Sequence, residues 1–168
     1  MDPLRKLGGT SCPKLREAPA PPGCSIHAER PAICRAYRCL WLAGGLDEAD
    51  RPDRLGAILD VATEGGVTRL RVHEARPGGY EASARLREIV DDHRGSMPVR
   101  LSDVSRAGDE RAPVHELGPD GAELRIEGDW IVELRDGREL ARRRLPWLER
   151  MARRLALVVR RRRLRGYS

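Results

Sequence analysis

A chain of 168 residues and 18.8 kDa fits one domain, since domains run to roughly 100–200 residues, and it leaves little for a second compact unit. Of its 32 basic residues 30 are Arg, so the total of +6 says less than its placement: residues 138–168 hold 12 basic and 2 acidic groups (net +10), and residues 1–137 hold 20 and 24 (net −4). The longest strictly apolar run in the basic tail, 155–159, is far short of the ~20 residues that span a bilayer. Residues 1–23 also lack the apolar core of a secretory signal, so a reducing cytoplasm is the expected compartment.

The first feature in chain order is a group of four cysteines, Cys12, Cys24, Cys34 and Cys39, with none in the 129 residues that follow. In a reducing compartment such clustering favours metal or thiol chemistry over disulfides. Four thiolates are the number that closes a tetrahedral zinc site or holds one iron–sulfur cluster. The spacing C-x11-C-x9-C-x4-C has no C-x2-C knuckle, so spacing alone is a moderate signal. Pro19, Pro21, Pro22 and Gly23 predict a turn before Cys24. Pro31 suits the first position of a helix over 31–42. On such a helix Cys34 and Cys39 stand about 140° apart, at about 100° per residue, and both reach one ion only if the helix ends or distorts near Cys39. Arg30, Arg35 and Arg38 would favour thiolates. Cycling of Cys34 and Cys39 as a dithiol is an alternative use of the same residues.

The run Gly23-Cys24-Ser25-Ile26-His27-Ala28-Glu29-Arg30-Pro31-Ala32-Ile33-Cys34-Arg35-Ala36-Tyr37-Arg38-Cys39 resembles the C-x-I-Y-x-x-R-P-x-x-C-R-x-[FY]-x-C signature of the YkgJ-type cysteine-cluster family, described as zinc- or iron-chelating proteins. Cys12-Pro13 with Leu15, Leu40-Trp41-Leu42 and Arg51-Pro52-Asp53-Arg54-Leu55-Gly56 are similar to further elements of that family. The resemblance spans about a third of the chain. It implies Zn²⁺ or iron, possible as an iron–sulfur centre, bound by Cys12, Cys24, Cys34 and Cys39 with no defined reaction. The family's additional C-x2-C-x2-C-C group does not occur in this sequence, and His27 stands where the signature has Tyr, which makes it a further ligand candidate. His27-Ala28-Glu29 before Pro31 also has a superficial likeness to the zinc-deaminase pattern H-x-E…P-C-x-x-C. Here one residue separates Glu29 from Pro31 and no Cys follows that proline, so the deaminase reading is rejected.

Residues 1–56 are thus read as a cysteine-cluster module and 57–168 as an α+β remainder forming one unit with it. Strands are predicted at 55–62 and 67–75, joined through Gly65-Gly66, and a helix at 80–93 from the apolar stripe Tyr80, Ala84, Leu86, Ile89 and Val90. A strand at 98–104 follows. The strands 114–117, 122–127 and 130–135 form a meander through Pro119-Asp120-Gly121 and Gly128-Asp129, the latter suited to a type II′ turn, and Asp136-Gly137 leads to 138–142. The expected fold class is α+β: a short-stranded antiparallel sheet with one internal helix and an Arg-rich C-terminal helix. His73-Glu74 and His115-Glu116 lie on predicted strands, where neighbours point to opposite faces, so neither pair acts at one atom. No Walker A, G-x-S-x-G or G-x-G-x-x-G motif is present, and no residue set for turnover accompanies the cysteines.

The last helix is predicted over 146–164. Trp147, Leu148, Met151, Leu155, Val158 and Val159 form one stripe, and Arg150, Arg153, Arg154, Arg160, Arg161, Arg162 and Arg163 lie elsewhere. Packing of this stripe on the domain is the favoured expectation. Contact of the arginines with anionic membrane or with nucleic acid is the functional alternative, the nucleic-acid form being weaker because few aromatics are interleaved to stack on bases.

Overall fold

Glycine turns separate alternating apolar segments, and the computed structural model describes the result for residues 12–14, 16, 24–106 and 112–165, with side chains except at 105, 156, 157 and 160–165. The predicted turn at 19–23, Leu15, Tyr167 and the side chains of Arg160, Arg161, Arg162 and Arg163 lie outside the described set. In chain order the elements are α1 (Ala32–Ala36), α2 (Pro52–Leu55), β1 (Ala57–Glu64), β2 (Val67–Glu74), α3 (Gly79–Ala82), α4 (Ala84–Arg94), β3 (Val99–Asp103), β4 (Val114–Leu117), β5 (Ala122–Glu127), β6 (Trp130–Arg135), β7 (Arg138–Arg144) and α5 (Trp147–Arg165).

The seven strands form one sheet in sequence order, β1 to β7, which makes the fold α+β as expected. One pair differs from the expected antiparallel pattern: β2 and β3 are parallel. The physical reason is the connection, because α3 and α4 carry the chain back to the start of the sheet before β3 begins, as a parallel neighbour requires. Ser83 caps α4 by accepting from Leu86 N at 3.2 Å.

Leu86, Ile89 and Val90 of α4 pack on Ala57, Leu59, Leu70, Val72, Val99, Leu101 and Leu117, and this is the principal core. The opposite face of β1 to β4 is charged. Asp60, Arg71, Arg100 and Glu116 are consecutive partners across the four strands. Arg100 Nε donates to Glu116 Oε1 at 2.8 Å and Arg71 Nη1 to Glu64 Oε1 at 3.0 Å. The paired signs satisfy groups that a helix would otherwise have to cover.

The first predicted strand begins two residues late, because residues 52–55 form α2, with Pro52 at its first position and Gly56 past its end. Gly128 has φ 59 while Asp129 is absent from the residues of positive φ, the pattern of the predicted type II′ turn. The largest departure concerns α5. Its apolar stripe does not pack on the domain: Trp147, Leu148, Met151, Leu155, Val158 and Val159 are all exposed. The helix is fastened by the other side, where Arg150 Nη1 donates to Asp129 Oδ2 at 3.2 Å and Arg153 Nη1 to Gly128 O at 3.4 Å.

Candidate functional site

Proline and the length of the cysteine spacing shape the N-terminal segment. Ser25 N donates to Lys14 O at 2.8 Å and its hydroxyl reaches the same oxygen at 3.0 Å. The backbone after Cys24 therefore returns alongside that after Cys12. Pro31 is the N-cap of α1 instead of its first residue, and α1 ends at Ala36, with Tyr37 extended at φ −69 and ψ 125. The predicted helix to 42 is thus cut to one turn and a half. Cys34 lies on it and Cys39 beyond it, so the helical constraint that would hold those two thiols apart does not operate.

From Tyr37 to Leu40 the chain clasps the outer side of β1. Leu40 N donates to Leu59 O at 2.7 Å, and its side chain joins the edge of the core. Tyr37 reaches round to the charged face, where its hydroxyl donates to Asp60 Oδ2 at 2.9 Å. Between these two anchors Cys39 is buried, at 4% exposure, while Cys12, Cys24 and Cys34 are partly exposed.

Asp60 is the centre of this anchorage. Its side chain also takes Arg71 Nε at 2.6 Å and faces His73 Nε2 at 3.4 Å. Burial would raise its pKa. The hydrogen bonds from His73, Arg71 and Tyr37 outweigh that and hold the carboxyl well below the ordinary carboxylate range. For Tyr37 the two causes reinforce each other: burial of the hydroxyl, then donation to the Asp60 carboxylate, push its pKa well above the usual phenol value. The residue as a whole is 47% exposed, and its hydroxyl is the group held against Asp60.

His73 Nδ1 lies 2.9 Å from Ser102 Oγ, so Asp60, His73 and Ser102 form a row with the composition of a hydrolase triad. Its geometry is not that of one. Ser102 Oγ donates to Val72 O at 3.2 Å, which directs the hydroxyl proton to the backbone, and Ser102 is paired in the parallel ladder with His73. A triad needs the serine proton on the histidine and free amides for the oxyanion. The row instead ties β1, β2 and β3 together. As predicted, His73 and Glu74 diverge: Glu74 lies on the other face and accepts from Tyr80 N at 2.7 Å. His115 meets Glu123 at 3.1 Å while Glu116 meets Arg100.

A polar cleft of about 250 Å³ opens beside α4, lined by Gly44, Asp47, Asp50, Arg85, Asp92 and His93 among others. Asp50 is buried, and Arg85 grips it with bonds of 2.9 and 2.8 Å. This pair fastens the stretch after the cysteines to α4.

Cys12, Cys24, Cys34 and Cys39 are all free thiols. Among the described residues, no three of His, Cys, Asp and Glu are gathered closely enough to hold an ion. Thiolates are donors that soft metals favour, but the described arrangement does not bring these four together as a site. His27 is exposed beside Arg30, whose Nη1 approaches its ring nitrogens at 3.0 and 3.2 Å. Arg35 Nη1 donates to Arg30 O at 2.7 Å. Comparison with family models, with curated proteins and with solved structures finds no match in any of the three.

Sequence reasoning named the cysteines, considered His73 only as half of a pair with Glu74, and did not single out Asp60 or Asp50. The one signal pointing to Asp60 was an acidic residue inside an otherwise apolar strand, Ala57-Ile58-Leu59-Asp60-Val61, where a charge calls for buried partners.

Proposed function

We propose that this protein binds a metal centre, Zn²⁺ or an iron–sulfur cluster, through Cys12, Cys24, Cys34 and Cys39. The observation that carries the reading is that four unpaired thiols share one short segment whose far end is fixed to β1 by Leu40 and Tyr37. Nearer the start, Ser25 binds back to Lys14 O, which brings the stretch after Cys24 alongside that after Cys12. Metal binding to such a segment would supply the free energy that brings the remaining ligands together. The resemblance of the stretch from Cys24 to Cys39 to a metal-chelating family supports the same reading. The role is structural or carrier-like, with the metal supplying cross-linking of the segment.

Purification without oxygen, followed by elemental analysis and a visible spectrum, tests this. The expected result is zinc or iron in stoichiometric amount, lost on Cys24→Ser or Cys34→Ser together with part of the thermal stability. A colourless protein holding neither element, with a melting temperature indifferent to both substitutions, would sink the proposal.

A further inference from the structure

The attachment of α5 is the reverse of the usual arrangement for an amphipathic surface helix, which turns its apolar stripe inward. At about 100° per residue, Trp147, Leu148, Met151, Leu155, Val158 and Val159 fall within an arc of about 120°; over 147–159 no charged residue shares it, and Arg162 enters it in the last turns. Arg150 and Arg153 stand on the far side, and these two make the contacts with the turn between β5 and β6. The helix is thus docked by its polar side and shows its apolar side outward, with Trp147 and Leu148 each 64% exposed.

Six apolar side chains held in water by one ion pair and one hydrogen bond to a backbone carbonyl call for an occupant. Charge decides which kind. Residues 138–168 carry net +10, and every residue of β7, including Arg138, Arg142, Arg143 and Arg144, is exposed. A second copy would bring two such segments face to face and pay for it in repulsion. Nucleic acid would match the charge but leave the apolar arc in water. An anionic bilayer satisfies both at once: its headgroups neutralise the arginines while its acyl boundary takes up the arc. Trp147, at the start of the helix, is a residue type favoured at that boundary. No helix among the described residues is long and apolar enough to cross a membrane, so the contact is one of lying in the interface.

The geometry points to α5 as an interfacial anchor that seats this protein on anionic lipid, apolar arc down and sheet outward. The inference does not depend on the cysteines. It is tested with the full chain and vesicles of phosphatidylcholine alone or with about a third phosphatidylglycerol, read by co-flotation. Binding to the anionic vesicles is expected to exceed binding to the neutral ones by about tenfold or more and to fall as salt rises. The double substitution Leu148→Asp with Leu155→Asp should abolish it and leave the melting temperature unchanged, since both side chains are exposed. Equal binding to neutral vesicles, or no binding to either, overturns the proposal, and the wild-type comparison needs no variant to fold. So does retention by a DNA duplex that is stronger than by anionic vesicles, or a dimer that forms without lipid and is broken by the double substitution.

Discussion

Replacing Asp60 by Asn removes the charge on which Tyr37, Arg71 and His73 converge while keeping the side chain's shape. Breaking a buried ion pair costs about 3–5 kcal/mol when the surviving partner is stranded. Here the partners are not fully stranded. Arg71 keeps Glu64 and is itself partly exposed, His73 keeps Ser102, and the amide oxygen of Asn still accepts one bond. The expected loss at neutral pH is therefore smaller, about 2–3 kcal/mol, which for a chain of this size lowers the melting temperature by about 4–12 °C. The pH dependence gives the decisive sign. The folded-state pKa of Asp60 is depressed, so its contribution is complete above the unfolded value of about 3.9 and is lost as pH falls through the folded value. Thermal melts of both proteins should show a constant gap from about pH 7 to 5 that narrows below about pH 4. A gap under about 2 °C at pH 7, or one that stays the same width down to pH 3, refutes the account of Asp60 as an ionised hub.

Burial raises the pKa of Tyr80 as well as that of Tyr37, so phenolate absorbance should show more than one tyrosine resisting ionisation past the usual value of about 10, and Tyr37→Phe should remove the most resistant of them. A raised folded pKa stabilises fully below the unfolded value, and that contribution fades as pH climbs through the folded one. If the titration of Tyr37→Phe differs only by the loss of an ordinary tyrosine, the hydroxyl is not held by Asp60. Gly121 and Gly95 make a contrasting pair. Gly121 has φ +69 and a Cβ there would run into the Asp136 carboxylate, so Gly121→Ala should cost about 1–3 kcal/mol in chemical denaturation. Gly95 has φ −71 and open space around it. Gly95→Ala should be neutral or stabilise by up to about 1 kcal/mol, and equal losses at both positions would contradict the turn geometry.

The parts of the fold that depend on neighbours in sequence were readable in advance. The turns at Gly65-Gly66, Gly128-Asp129 and Asp136-Gly137 fall where their residues demand them, and the stripe Leu86, Ile89, Val90 faces the core. What depended on distant partners was not. Leu55 reads equally as the start of a strand or the end of a short helix, and Pro52 with Gly56 settles it for the helix. The parallel register of β3 beside β2 follows from where α4 leaves the chain, which no local pattern records. For the cysteines, types and grouping were visible from sequence, while the end of α1 at Ala36 and the burial of Cys39 against β1 arise from contacts such as Tyr37 with Asp60, 23 positions apart. The orientation of α5 was misjudged because an amphipathic pattern says that a helix has two faces, not which of them meets the body.

The clasp of the chain round β1 has a bearing on self-association. An open sheet has two outer strands, each with unpaired backbone groups ready to recruit a strand from another molecule. On β7 that recruitment is opposed by a row of arginines. β1 has Ile58 and Val61 exposed and far less charge on its outer side, and its protection is the stretch from Tyr37 to Leu40 lying across it. The thiol segment is therefore also the guard of an adhesive strand. A change that pulled Cys39 out of its seat would strain the neighbouring bond from Leu40 to Leu59 and so bare the outer edge of β1 as well.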